Sequence, residues 1–306
     1  MFQTRLEKHG QIAMGTAELR PTDPLLPDAE AIIVAAVNSG IRIFDTASNY
    51  GDGTAEVVLG NVTKELRDRV LILTKAGQKT EQETLEDGGS ASANGLQHWS
   101  FDAHSIEASV MRSQKRLQRD YIDCVFLHNP EDILLGSKEL LPALIPAIDY
   151  LEKLSSEGAI GCWGISSWSG FFSKDQKNAP IQLDAINNYL LGHERKHHFM
   201  AIQFPFGVWN LDAIKQKSQY SKTNRSFETL FRIANNLGIS CLVNAPFNGG
   251  NNPPISGLNG TYPTPAQQEL VYIHHLAPLA TRVIGMTSLR SIGEINYLRE
   301  HIHNGR

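Results

Sequence analysis

Short β-rich runs alternate with helical stretches along the whole chain, and this alternation constrains the fold more than any other feature. Eight such runs stand out, at 11–14, 41–45, 70–74, 121–127, 160–165, 201–204, 239–244 and 282–285. Most are apolar at nearly every position. Runs of that kind suit strands buried on both faces, with helices outside and packed side chains inside. Between them lie helical patterns at 28–38, 54–67, 102–117, 137–156, 226–236, 264–277 and 291–303. Several carry their own start and stop signals. Pro27 and Asp28 open the first and Gly40 follows it, while Gly158 and Gly238 end two others. Gly60 weakens the middle of the second. Strands alternating with helices imply a parallel sheet, and eight units close into an α/β fold of the (β/α)8 TIM-barrel type. The 306 residues suit one barrel domain spanning 1–306.

Three long stretches interrupt the pattern, at 78–100, 209–224 and 248–265. Each follows a strand, so each is expected to rise from the C-terminal face of the barrel, where barrel enzymes bind their substrates.

Composition narrows the function. Hydrophobic residues make up 41% and charged residues 20%, an ordinary globular balance. The net charge of −4 leaves no basic excess to neutralise phosphates, which argues against a nucleic-acid partner. No apolar run approaches a membrane span, and the start lacks the apolar core of a secretory signal. The three cysteines, Cys124, Cys162 and Cys241, lie in apolar runs without CxxC spacing. They read as reduced, buried thiols in a cytoplasmic setting. Oligomeric state is left open.

The chemistry lies at the strand ends, where several apolar runs finish in particular polar groups: Asp45, Lys75, His128, Ser166, Gln203 and Asn244. Such positions converge on one pocket in a barrel. One buried Asp or Lys alone reads as a structural ion pair, so the argument rests on the set. Tyr50 lies five residues past Asp45, in the loop after the same strand. A phenol titrates near 10, too high for easy proton transfer at neutral pH, and a neighbouring ammonium lowers that value. Lys75 can supply the charge, Asp45 can hold Lys75, and His128 can hydrogen-bond a substrate oxygen or the phenol. The group is suited to general acid or base catalysis at a carbonyl or alcohol oxygen.

At these residues the chain resembles the aldo-keto reductase family. The matching segments run from Phe44-Asp45-Thr46-Ala47 through Tyr50-Gly51, then Glu56 and Leu59-Gly60, to Leu73-Thr74-Lys75. Arg116-Leu117, Asp120-Tyr121-Ile122-Asp123 and Leu127-His128-Asn129-Pro130 follow. Gly164-Ile165-Ser166, Ile202-Gln203 and Ile284-Gly285-Met286-Thr287-Ser288 complete the family order, so the resemblance covers nearly the whole chain. It implies an NAD(P)-dependent oxidoreductase that interconverts a small-molecule carbonyl (an aldehyde, ketone or sugar) and an alcohol. It also implies Asp45, Tyr50, Lys75 and His128 as the catalytic tetrad, with Tyr50 as general acid and base.

By the same resemblance, Ser166 and Gln203 hold the nicotinamide carboxamide, with Ser167 standing where the family usually has Asn. Asn244 and Phe247 fall near the nicotinamide ring. The segment from Gly285 resembles the part of the family that holds the adenosine phosphate. Thr287 and Ser288 replace its usual arginine, Arg290 is close enough to substitute, and Glu294 and Asn296 face the adenine. NADP is therefore the expected cofactor, with NAD the alternative. A nucleotide-binding accessory or sensor subunit with little turnover is the competing function.

Two signals are set aside. His193-Glu194-Arg195-Lys196-His197 matches the zinc-protease spacing but lacks an amphipathic helix and a third ligand, so no metal site is expected. Trp99, Trp168, Trp209, Phe171 and Phe206 follow strands, where pocket lining and rim packing are equally good readings.

Overall fold

The computed structural model describes residues 2–19, 28–86, 99–132, 140–172, 180–193, 196–252, 255, 262 and 264–304. The chain begins with helix α1 (Phe2–Lys8), strand β1 (Ile12–Gly15), α2 (Ala29–Asn38) and β2 (Ile43–Asp45). It continues through α3 (Thr54–Thr63), β3 (Leu71–Ala76), α4 (Glu81–Glu86), α5 (Ala103–Leu117), β4 (Cys124–His128), α6 (Leu140–Ser156) and β5 (Trp163–Ser166). Then come α7 (Leu183–His193), β6 (Phe199–Pro205), α8 (Asp212–Lys215), β7 (Gln219–Ser221), β8 (Ser226–Glu228), α9 (Leu230–Asn236) and β9 (Ser240–Asn244). The last elements are α10 (Pro265–Leu276), β10 (Thr281–Gly285) and α11 (Leu289–Asn304).

Eight strands close into a parallel barrel in the order β1-β2-β3-β4-β5-β6-β9-β10, with β10 pairing back to β1. All eight runs expected from sequence are these strands. The period of two divides their side chains. Ala13, Ile43, Leu71, Leu73, Phe126, Ala201, Leu242 and Val283 fill the lumen, and Phe2 and Leu6 of α1 pack into the same cluster. The strand residues of opposite parity, such as Met14, Phe44, Ile72, Val125 and Ile202, pack with the helices. Helix α1 therefore plugs the N-terminal end of the lumen. Arg5 fastens it there through a 2.5 Å ion pair to Asp123, just before β4.

The same alternation carries the inward positions to the C-terminal rim. Gly15 stands opposite both Asp45 and Gly285. His128 stands opposite Ser166, and Ser166 opposite Gln203. Lys75 and Asn244 occupy the inward sites of their own strands. The polar strand ends thus form one ring because of register.

Some local expectations are corrected. The helix expected over 226–236 starts only at Leu230, because Ser226–Glu228 pairs antiparallel with Gln219–Ser221. Arg225, at φ 51°, turns that hairpin. The loop at 209–224 accordingly contains α8 and one strand of the hairpin. The helix over 54–67 breaks into α3 and a 3-10 turn at Lys64–Leu66. Helices α1 and α7 were not among those expected, although α7 buries Leu183, Ile186 and Leu190 at helical spacing. The first residues of the 137–156 helix, and about half of each loop at 78–100 and 248–265, lie outside the described residues. Among the described residues, no helix is long and apolar enough to cross a membrane.

Candidate active site

Lys75 is buried in the barrel, 1% exposed. Its Nζ donates to Asp45 Oδ2 at 2.8 Å and to the Thr46 carbonyl at 2.8 Å. Burial alone would lower the Lys75 pKa, but Asp45 and then Tyr50 outweigh it, so the ammonium is held above its usual value. The other Asp45 oxygen is also satisfied. Gln203 Nε2 donates to Oδ1 at 2.8 Å, and Ser166 Oγ donates to Gln203 Oε1 at 2.8 Å.

Tyr50 reaches this pair from a tight turn at Tyr50–Gly53. Gly51, Asp52 and Gly53 all have positive φ, at 56°, 54° and 87°. Glycine makes two of these left-handed positions affordable. The turn brings the Tyr50 ring to 4.8 Å from Lys75 Nζ and edge-on to His128, ring centroids 6.2 Å apart. Three strand ends and one loop thus supply the four expected residues. Burial raises the Tyr50 pKa, and the opposing pull of Lys75 does not reverse it. The net lowering anticipated from Lys75 alone is therefore corrected. Burial, with Lys75 beside it, pushes the His128 pKa well below its usual value, so the imidazole is neutral. His128 Nδ1 is buried without a partner.

A cavity of about 1060 Å³ opens beside Asp45 and Tyr50. It passes Gly15, Asn244, Phe247 and Gly285 and ends at Thr287 and Ser288, just before α11, and at Arg290 and Glu294 on α11. Seven of the expected cofactor residues thus line one continuous space. Asn244 Oδ1 is buried with no partner, an acceptor suited to an amide N–H. At the far end Ser288 caps α11, its Oγ accepting from Ser291 N at 3.1 Å. A helix N-terminus beside neutral hydroxyls suits a phosphate. The cavity therefore fits a nicotinamide dinucleotide.

Other expected residues lie elsewhere. Ser166 and Gln203 are fully buried behind Asp45, off the cavity wall. Ser167 turns away, donating to Glu131 Oε1 at 2.7 Å, an oxygen that also accepts from Trp168 N and Ser169 N. Arg290 does line the cavity, but its side chain is 84% exposed and paired with Glu294 at 3.0 Å. Asn296 is partly buried on α11 and does not line the cavity. Of the aromatic residues, Trp168 lines the cavity, whereas Phe171 and Phe206 are core. Trp209 bonds the Ala245 carbonyl, and Trp99 pairs with Gln78. His193 Nδ1 lies 2.7 Å from the Tyr189 carbonyl, and His197 Nε2 lies 3.0 Å from Asn187 Oδ1. Sequence reasoning missed Glu18, which lines the cavity with Tyr50 and has its Cγ 3.9 Å from where a Cβ on Gly285 would sit. No motif marked it.

A stretch of 149 residues is 34% identical to D-threo-aldose 1-dehydrogenase from a Pseudomonas species, covering 46% of this chain and 44% of that protein. A stretch of 234 residues is 26% identical to a probable voltage-gated potassium channel subunit beta from Oryza sativa subsp. japonica, covering 71% and 65%. The chain thus spans less than two thirds of either relative's length. In fold it resembles an aldo/keto reductase from Klebsiella pneumoniae solved with NADP and acetate. The TM-score is 0.62 at 19% identity, over 95% of this chain and 86% of the other. Residues 11–250 match the aldo/keto reductase family, and the chain, with its closed barrel and ring of polar strand ends, belongs to that family.

Proposed function

We propose that this chain is an NADP-dependent oxidoreductase that interconverts a small carbonyl compound and its alcohol. The observation that carries the reading is the buried Asp45–Lys75 pair beneath the Tyr50 ring, at the inner end of the long cavity. Asn244, Phe247, Gly285, Thr287, Ser288, Arg290 and Glu294 would hold the cofactor. When bound, the nicotinamide supplies or accepts the hydride.

The protein's own residues manage the oxygen and its proton. Tyr50 keeps its proton at neutral pH because burial raises its pKa, so it serves as the acid when a carbonyl oxygen gains charge. Lys75, held charged by Asp45, stabilises the phenolate left behind. Neutral His128, edge-on to the Tyr50 ring, would position the phenol or the substrate oxygen. In the reverse direction Tyr50 takes the alcohol proton. The aldose dehydrogenase relative makes a sugar the first substrate class to test. The three free, buried cysteines suit a reducing, cytoplasmic compartment.

The test is the change in nicotinamide absorbance with a panel of aldoses and simple carbonyls, using NADP(H) and NAD(H). Turnover with NADP(H) supports the reading, and turnover with NAD(H) alone overturns the cofactor assignment. Tight NADPH binding without turnover on any substrate favours a nucleotide-binding accessory role; the rice relative is named as a subunit of a channel.

A further inference from the structure

Outside the catalytic group, Glu56, Arg116 and Glu83 form a buried charge cluster. Arg116 Nε donates to Glu56 Oε2 at 2.6 Å, and its Nη1 donates to Glu83 Oε1 at 2.7 Å. Both carboxylates are buried, and the arginine side chain is 18% exposed.

Each partner leads back to the catalytic residues along the chain. Glu56 Oε1 accepts from Thr74 Oγ1 at 2.5 Å, and Thr74 immediately precedes Lys75. Glu83 belongs to α4, the first helix after Lys75's strand, and Thr80 forms a reciprocal cap with it. Glu83 Oε2 accepts from Thr80 N and Glu83 N donates to Thr80 Oγ1, both at 3.0 Å. The Arg116 stem packs under Gly53, the last residue of the Tyr50 turn, where an added Cβ would lie 3.0 Å from Arg116 Cδ. A second tie joins the same segments, since Ser48 Oγ donates to the Gln78 carbonyl at 2.8 Å. The left-handed run at 51–53 is costly backbone that persists only when its surroundings over-determine it.

We infer that Arg116 is a positioning residue for proton transfer: through Gly53 on one side and Glu56–Thr74 on the other, it sets the separation of the Tyr50 phenol and the Lys75 ammonium. The inference rests on the role proposed above for Tyr50. A fork that reaches two carboxylates at once is what arginine provides and lysine does not. Neither Arg116 nor Glu83 lines the cavity, so cofactor affinity is not part of this function.

The test compares Arg116→Met and Arg116→Lys with wild type, each checked for folding by thermal melt. Arg116→Lys is the variant to follow if Arg116→Met does not fold. Three quantities are read: kcat, the NADPH dissociation constant, and the alkaline titration of Tyr50. The titration is taken as phenolate absorbance minus that of the matching Tyr50→Phe protein, so it requires no turnover. In Arg116→Met kcat falls about tenfold or more, as expected for a displaced catalytic group. The NADPH constant stays within about twofold, below the energy of a single lost hydrogen bond. The Tyr50 step moves to higher pH, because a loosened Lys75 stabilises the phenolate less, and Arg116→Lys falls between. An unchanged Tyr50 step, or a loss of kcat accompanied by an equal loss of NADPH affinity, overturns the inference. If wild type and Tyr50→Phe turn over alike, the role of Tyr50 fails instead, and the shift of the Tyr50 step still decides whether Arg116 sets its environment.

Discussion

Gln203 donates from Nε2 to Oδ1 of Asp45 at 2.8 Å across the barrel mouth, although 158 residues separate them in sequence. With Lys75 on Oδ2, both oxygens of the carboxylate are satisfied. Asp45 therefore has one orientation, and Lys75 inherits it.

Replacing Gln203 with leucine keeps the volume but leaves a buried carboxylate oxygen without its donor. A group stranded in this way costs about 1–3 kcal/mol. The urea midpoint of Gln203→Leu is expected to fall by a corresponding amount with an unchanged slope. A midpoint equal to that of wild type would show that water or another donor satisfies Asp45.

Gly60 gives a second stability test. In sequence it is a weak point in a helix, yet in the structure it is where α3 meets the end of α5. A Cβ there would lie 2.6 Å from the Arg116 carbonyl oxygen and 2.8 Å from the Leu117 backbone. Backbone atoms cannot step aside as a side-chain tip can. Gly60→Ala is expected to destabilise by about 1–3 kcal/mol despite alanine's better helix propensity. Equal or higher thermal stability would mean that α3 and α5 separate without penalty.

These two residues also mark how far the sequence can be read. The barrel was legible because each strand is apolar on both faces, a pattern that survives without knowledge of its partners. Asp45, Lys75 and His128 were legible because a polar group ending such a run has few other uses. What depends on contacts made across the sequence was not legible. Ser167 was expected at the carboxamide, but it turns to Glu131, an acceptor 36 residues away. The Tyr50 pKa was expected to fall on account of one neighbour, but burial, a property of the whole site, pushes it up. Glu56 and Arg116 appeared only as motif letters, because the link between them exists once α3 and α5 have packed.

The pH dependence follows from the same shifts. Tyr50 is held above its ordinary value of about 10. Carbonyl reduction, which needs the protonated phenol, should be level through neutral pH and decline only on the alkaline side. Alcohol oxidation, which needs the phenolate, should rise with pH over the same range. His128 is neutral throughout, so neither profile should inflect near about 6.5. Profiles of kcat/KM in both directions check this. An oxidation rate that falls as the pH becomes alkaline would contradict the assignment.

The most direct measurement is the turnover of Tyr50→Phe beside wild type, with the NADPH dissociation constant determined for both. The variant keeps the ring that packs near Lys75 and His128 and removes only the hydroxyl. If Tyr50 is the proton donor, kcat falls by about 10²- to 10⁴-fold, the usual contribution of a positioned acid, while NADPH binds as before. A variant that reduces the same carbonyl at the wild-type rate would contradict the central claim.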